Sequence, residues 1–181
     1  MTEEVKRNYL EINSIQDLIE VAKPTVDYSL NLLEPTNFQL NKFFYKNIGK
    51  KHKWIDRLVW TETQWIDYVS NEKVETYIFK YKDNLVGFFE LISHSDKKEV
   101  EIAYFGLLEE FQNKKLGSYL LSEAIKKSFK ESIDRVWVHT CSLDHKNALN
   151  NYIARGMKIF KTETVRTVSY THLTLPTIRS V

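Results

Sequence analysis

Two stretches of this 181-residue chain combine residue types that can do chemistry. The turn Gln112-Asn113-Lys114-Lys115-Leu116-Gly117 stands between an aromatic and aliphatic run, residues 100–108, and a helical repeat of Leu116, Leu120, Leu121, Ala124, Ile125 and Phe129. A strand that ends in a tight turn and feeds a helix aims unpaired backbone N–H groups, and the positive end of the helix dipole, at one spot. Such a spot receives an anion. Eleven residues before Gln112, Glu101 lies between Val100 and Ile102, where desolvation raises a carboxyl pKa towards that of a general base for an ammonium. A solvent-facing strand position is the other reading of Glu101. Asp56 and Arg57, opposite charges among apolar neighbours, need each other or a ligand. His139 and Cys141 alternate on one strand face but lack further ligands at metal-binding spacing, so they read as core residues and no metal is expected.

The elements that must position these groups follow from periodicity and punctuation. Residues 5–12 alternate weakly as a strand, and Ser14 caps a short helix to residue 22, ended by Pro24. Residues 26–33 alternate as a half-buried strand. Pro35-Thr36-Asn37 opens a helix carrying Leu40, Phe43, Phe44 and Ile48, which Gly49 stops. Residues 50–53 form a basic loop, and Thr61 with Gln64 makes a capping box for a helix to about residue 69. Residues 75–81 and 85–93 pair through the turn Lys82-Asp83-Asn84. The apolar run 100–108 suits a central strand buried on both faces. Gly106 is the expected place for a bulge. The following helix crosses to a parallel neighbour, residues 135–141. A helix at 145–155, ended by Gly156, and a strand at 157–164 complete an α/β layer protein.

Composition bounds the function. Hydrophobic residues at 43% and charged residues at 28% describe one globular domain, placed at residues 1–167, with residues 1–25 an N-terminal extension. A net charge of +2 gives no field suited to nucleic acid, so no nucleic-acid partner is expected and the basic loop counts as solvated. One cysteine excludes an internal disulfide. The Met-Thr-Glu-Glu start lacks the regions of a signal peptide, and no long apolar run occurs, which predicts a cytoplasmic protein without membrane contact. No P-loop, nucleophile elbow or dinucleotide fingerprint is present.

The turn resembles the Q/R-x-x-G-x-G/A signature of the GNAT acetyltransferase superfamily. Gln112 matches its first position and Gly117 its last, while Lys115 replaces the middle glycine. The resemblance covers residues 75–164 and, more loosely, 26–70. A W-x-D-R-x-x-W segment from Trp54 and a W-V-H-T-C-x-L-D-H segment from Trp137 also resemble one bacterial subgroup. It implies the acyl-CoA N-acyltransferase fold: a mixed, mostly antiparallel sheet flanked by helices, with one splayed parallel pair, 100–108 beside 135–141, holding acetyl-CoA. In that family the turn's amides hold the pyrophosphate, here at Gln112, Asn113, Lys114, Lys115, Gly117 and Ser118. If Lys115 takes positive φ, the strain is about 1–2 kcal/mol. Glu101 occupies the family's general-base position. Phe105 presents its amide to the thioester, with Leu107 beside the carrier. Tyr152, in A-x-x-x-Y-x-x-x-G, meets the sulfur as general acid, a phenol of pKa near 10 matching a thiolate. His145 stands where the family often has asparagine. The helix pair around Trp54, Asp56 and Arg57 covers the acceptor side.

The implied function is acetyl transfer from acetyl-CoA to a primary amine of a small molecule or peptide, by direct attack, in a monomer or homodimer. A non-catalytic acyl-CoA-binding sensor or interaction module is the alternative. Residues 168–181 resemble translated sequencing-adapter read-through and are expected to pack poorly, Leu173 and Leu175 included.

Overall fold

A computed structural model describes residues 2–112 and 114–168. Its strands form one seven-stranded sheet in the order β2-β3-β4-β5-β6-β1-β7. These are β1 (Thr2–Ile12), β2 (Tyr28–Leu32), β3 (Val74–Tyr81), β4 (Asn84–His94), β5 (Glu99–Leu107), β6 (Arg135–Cys141) and β7 (Lys158–Val168). Every pairing is antiparallel except β5 with β6. Helices α1 (Phe38–Gly49) and α2 (Glu62–Ser70) precede β3, α3 (Leu116–Ser128) joins β5 to β6, and α4 (Ala148–Ala154) joins β6 to β7. This is the expected α/β layer fold. No helix among the described residues is long and apolar enough to cross a membrane.

Strand alternation distributes the core to two faces. Leu10, Phe79, Phe89, Val100 and Val136 pack against Leu120, Leu121 and Ile125 of α3. Their chain neighbours Ile78 and Phe88 point the other way, into a cluster with Phe44, Tyr45 and Trp65 of α1 and α2. In β5 the alternation slips. Register passes from Leu91 opposite Ile102 to Glu90 opposite Tyr104, so Ala103 is an extra residue and the strand bulges there. Val100 and Ile102 face α3 before the bulge, Phe105 and Leu107 after it. The bulge is thus three residues earlier than expected. Gly106 serves close approach instead, since a Cβ there would come within 2.7 Å of Ile48 Cγ2.

Three elements depart from expectation for reasons visible in their hydrogen bonds. The helix expected to residue 22 is only a 3-10 turn, Ile15–Asp17. The rest of that segment commits its donors elsewhere, Ile19 N–H to Arg155 C=O (3.0 Å) and Val21 N–H to Ser122 Oγ (3.2 Å). Helix α4 starts later than residue 145 because the Asp144 carboxylate accepts from Thr140 Oγ1 (2.6 Å) and Cys141 N–H (2.9 Å), holding residues 141–144 as a turn. Strand β7 runs on to Val168 because β1 is long enough to pair with it, from Glu11 opposite Lys158 to Thr2 opposite Val168. Leu173 and Leu175 lie outside the described residues. The capping box of α2 forms as expected, with Thr61 and Gln64 each accepting from the other's backbone N–H.

The second cluster contains charge. Glu90 on β4 is fully buried and accepts from Arg57 Nη1 (2.9 Å), Tyr68 Oη (2.6 Å) and Asn41 Nδ2 (2.8 Å). The Arg57 guanidinium lies 4.1 to 5.7 Å from the ring centroids of Tyr45, Trp60, Trp65, Tyr68 and Tyr104. Its partner is therefore Glu90 and not the adjacent Asp56. The pair fastens the segment between α1 and α2 onto the sheet. Arg57→Ala leaves Glu90 buried without its counter-charge and is expected to lower stability by about 3–5 kcal/mol, a fall in Tm of roughly 10 °C for a chain of this size. Calorimetry of Arg57→Ala beside an Arg57→Leu/Glu90→Leu double variant checks this, because the double variant recovers most of the loss.

Candidate functional site

Strands β5 and β6 are in register over only three pairs, Glu99 with Arg135, Val100 with Val136 and Glu101 with Trp137. Beyond them the strands separate, each held by its outer neighbour: β5 by β4, and β6 by β1. The gap is a cavity of about 470 Å³ that reaches from the start of α3 through the sheet to the segment between α1 and α2. Backbone polarity inside it follows from one bond. Leu108 N–H donates to Val86 C=O on β4 (2.8 Å). Alternation along an antiparallel ladder then turns the N–H groups of Phe105 and Leu107 away from β4, towards the cavity. The Leu107 carbonyl accordingly accepts from the Gln112 side chain (3.4 Å).

At one end of the cavity stands the N-terminus of α3. Lys115 is its N-cap, at φ 62° and ψ 13°, and provides no side-chain cap. Among the described residues nothing accepts from the amides of Leu116, Gly117 and Ser118, so that end of the helix keeps its positive pole uncapped. Gly117 is not required by the fold. A Cβ there would meet only Leu107 Cδ1 at 3.7 Å and Asn151 Nδ2 at 3.8 Å, ordinary contacts. Its carbonyl accepts from Asn151 Nδ2 (3.1 Å), which ties α4 to α3 across the cavity mouth. Gln112, Lys115, Gly117 and Ser118 line the cavity. Lys114 does not, its ammonium lying 5.6 Å from the Phe111 ring centroid, and Asn113 falls outside the described residues.

Tyr152 on α4 also lines the cavity, 7% exposed, with its ring 6.4 Å from that of Phe105. Burial, helped by the nearby Asp144, holds its phenol far above the ordinary range. The expected match to a thiolate's basicity therefore fails in the free protein. The group instead stays protonated and offers a fixed donor. His145 lines the cavity beside His52, ring centroids 6.2 Å apart. Burial, then His52 and Lys146, lowers its pKa.

Glu101 does not line the cavity. Its carboxylate, 12% exposed, meets His94 Nε2 at 3.2 Å, and it lies at the last paired position before the strands part. Two neighbouring carboxylates are engaged: Glu90 is buried under three donors and Glu99 pairs with Arg135 (3.1 Å). Trp54 and Asp56 line the cavity, and Trp54 Nε1 donates to Asp144 (3.4 Å). Arg57 does not belong with them, being 2% exposed and committed to Glu90. The basic loop is neutralised locally, Lys51 by Glu109 and Lys53 by Glu3.

Among the cavity residues that the sequence did not point to are three on β1 and β6. His139 and Cys141, read as core, are half-buried and face the cavity, because the α3 face of β6 is taken by Val136 and Val138. Burial and Asp144 push the Cys141 thiol up to about 11, which keeps it protonated and a poor nucleophile. Arg7 on β1 is the third. Its signal was available, as a cation in the apolar alternation Val5-Arg7-Tyr9. No group of three or more His, Cys, Asp or Glu that could hold a metal occurs among the described residues.

A family model described as Acetyltransferase (GNAT) family matches residues 34–157. Among solved structures, the chain is similar to a GCN5-related N-acetyltransferase from Kribbella flavida at 14% identity and TM-score 0.63, covering 91% of this chain and 58% of that one. It is also similar to one from Sphaerobacter thermophilus at 14% identity and TM-score 0.67, covering 90% and 50%. A third is an aminoglycoside acetyltransferase from an uncultured soil metagenomic sample in complex with trehalose, at 13% identity and TM-score 0.55, covering 71% and 87%. The chain spans between half and three fifths of the first two proteins. These likenesses are of fold. A search of curated proteins gave no match.

Two measurements test the site itself. Because Gly117 has room for a Cβ, Gly117→Ala is expected to fold with unchanged or higher stability, by up to about 1 kcal/mol, while weakening CoA binding about tenfold in a titration. Gly117→Glu is expected to abolish it. Since the pKa of His145 is lowered on folding, the unfolded chain binds the extra proton, and this stabilisation is complete above a pH of about 6.5 and lost as pH falls below it. Thermal midpoints measured from pH 7.5 to 5.5 are expected to fall less steeply for His145→Asn than for the parent.

Proposed function

The chain belongs to the GNAT acetyltransferase family, and on that premise we propose that it transfers an acetyl group from acetyl-CoA to a primary amine of a small molecule or peptide. One observation carries the reading. The uncapped amides of α3, two inward N–H groups of β5 and a buried tyrosine that is protonated in the free protein all open on a single cavity made where the parallel strands part.

The diphosphate of CoA rests on the amides of residues 115–118, with Ser118 and the Lys115 ammonium adding donors. The pantetheine arm takes the place of the missing strand along β5, against Leu107, and His145 faces it from the opposite wall. Phe105 N–H points at the thioester oxygen, and such a donor contributes about 2.7–4 kcal/mol to an oxyanionic transition state. The acceptor enters from the other face of the sheet, past Trp54 and Asp56. Glu101 takes the ammonium proton through one intervening water. The free amine attacks the thioester carbon, the C–S bond breaks, the departing thiolate receives the Tyr152 proton, and the second proton shed by the acylated nitrogen returns to the Tyr152 phenolate through water. No acetyl-enzyme forms, in keeping with the protonated state of Cys141.

Glu101→Gln is expected to lower kcat by 100-fold or more while acetyl-CoA binds unchanged, and Tyr152→Phe to lower it by about 10- to 100-fold. Cys141→Ala is expected to keep full turnover. Thiol release with a panel of amines, beside calorimetric CoA titration, measures all three. Unaltered kcat in Glu101→Gln removes Glu101 from the reaction, and tight CoA binding without transfer to any amine favours a non-catalytic acyl-CoA-binding module.

A further inference from the structure

The cavity has a cation at its acceptor end that acetyl transfer does not use. Arg7 stands on β1 on the face of the sheet opposite α3, its side chain 6% exposed, and it lines the cavity with Val5, Lys53, Asp56, His139 and Cys141. A guanidinium carries five donors in a planar fork. Among the described residues Arg7 makes only two contacts, both long: Nη1 to Tyr9 Oη at 3.4 Å and Nη1 to Glu163 Oε1 at 3.8 Å. Its Nε is buried with no partner. Glu163 divides its carboxylate among Tyr9 Oη at 2.6 Å, Lys161 at 3.4 Å and Arg7 at 3.8 Å, so Arg7 has the most distant share of it. Arg57 Nε is likewise buried without a partner, so the contrast lies in the counter-charge: that guanidinium has a carboxylate at 2.9 Å and aromatic rings around it.

A desolvated, under-bonded guanidinium is costly unless something completes it. A guanidinium that lines a cavity can offer its terminal Nη donors to a carboxylate. We propose that Arg7 is the anchor for an acceptor that carries a carboxylate as well as its amine, so that the substrates are amino acids or peptides presenting a free carboxylate. The assignment rests on the acetyl-transfer reading and narrows it. The carboxylate docks on Arg7 at the far side of β6, and the amine points through the gap between β5 and β6 at the thioester. Asp56, on the facing segment, lines the same end of the cavity and favours the ammonium over a second carboxylate there.

The test compares L-amino acids and dipeptides with their own C-terminal amides, and O-phosphoethanolamine with ethanolamine, by thiol release on the full chain. In the parent protein the acids are expected to show KM at least tenfold below that of their amides, a comparison that needs no variant. Arg7→Met is expected to raise KM for the acids at least 30-fold while KM for the amides and the affinity for acetyl-CoA stay within about twofold, and Arg7→Lys to restore part of the difference. Equal KM for acid and amide, or an equal rise for both in Arg7→Met, overturns the anchor and leaves the transferase reading standing. A preference for O-phosphoethanolamine over every carboxylate also overturns it, in favour of a phosphate-bearing acceptor. No transfer to any amine, with CoA binding intact, overturns both readings.

Discussion

The site exists because a parallel ladder stops. Strands β5 and β6 share three registered pairs and then diverge, and a backbone edge left unpaired inside a protein must be satisfied by something other than a strand. The bulge at Ala103 lies just past the last shared pair and shifts the phase of β5. It moves Phe105 and Leu107 onto the face that Val100 and Ile102 occupied, and the N–H groups of the same two residues look into the gap. On the other side, β6 cannot follow because β1 holds it along its whole length. The two strands thus follow their outer partners and part from each other.

Two buried arginines show how differently the fold treats charge. Arg57 has the Glu90 carboxylate at 2.9 Å and aromatic faces around it, and its work is to hold the segment between α1 and α2 in place over the cavity. Arg7 is buried nearly as deeply and left short of acceptors. A protein interior tolerates the first arrangement for structure, and the second makes physical sense where a ligand arrives to finish it. The same logic applies to the start of α3, where a lysine at positive φ caps the helix without a side-chain bond and the amides remain open.

Much of the architecture was legible in residue patterns. The boundaries of β6, the capping box at Thr61, the helix opening at Asn37 and the parallel crossover through α3 all follow from local rules, and local rules act within a few residues of one another. The passage from strand through a tight turn into helix at Leu116 was legible for the same reason. Two readings were overturned by a long-range partner. The short helix after Ser14 gave way to contacts with Ser122 and Arg155, more than a hundred residues distant. Arg57 was paired in sequence with its neighbour Asp56, yet in space the nearest carboxylate is on β4.

Sequence by itself determined which elements form and in what order, and that a strand, an anion-sized turn and an amphipathic helix adjoin, because these depend on spacing along the chain. Tertiary structure alone decided which side chains share the cavity. It placed Arg7, His139 and Cys141 there, kept Glu101 at its edge beside His94, and withdrew Arg57 and Lys114. The physical reason is that a side chain's exposure is set by what lies across the sheet from it, and three strands of this sheet are brought beside residues distant in the chain: β1 lies between β6 and β7, and β6 lies beside β5.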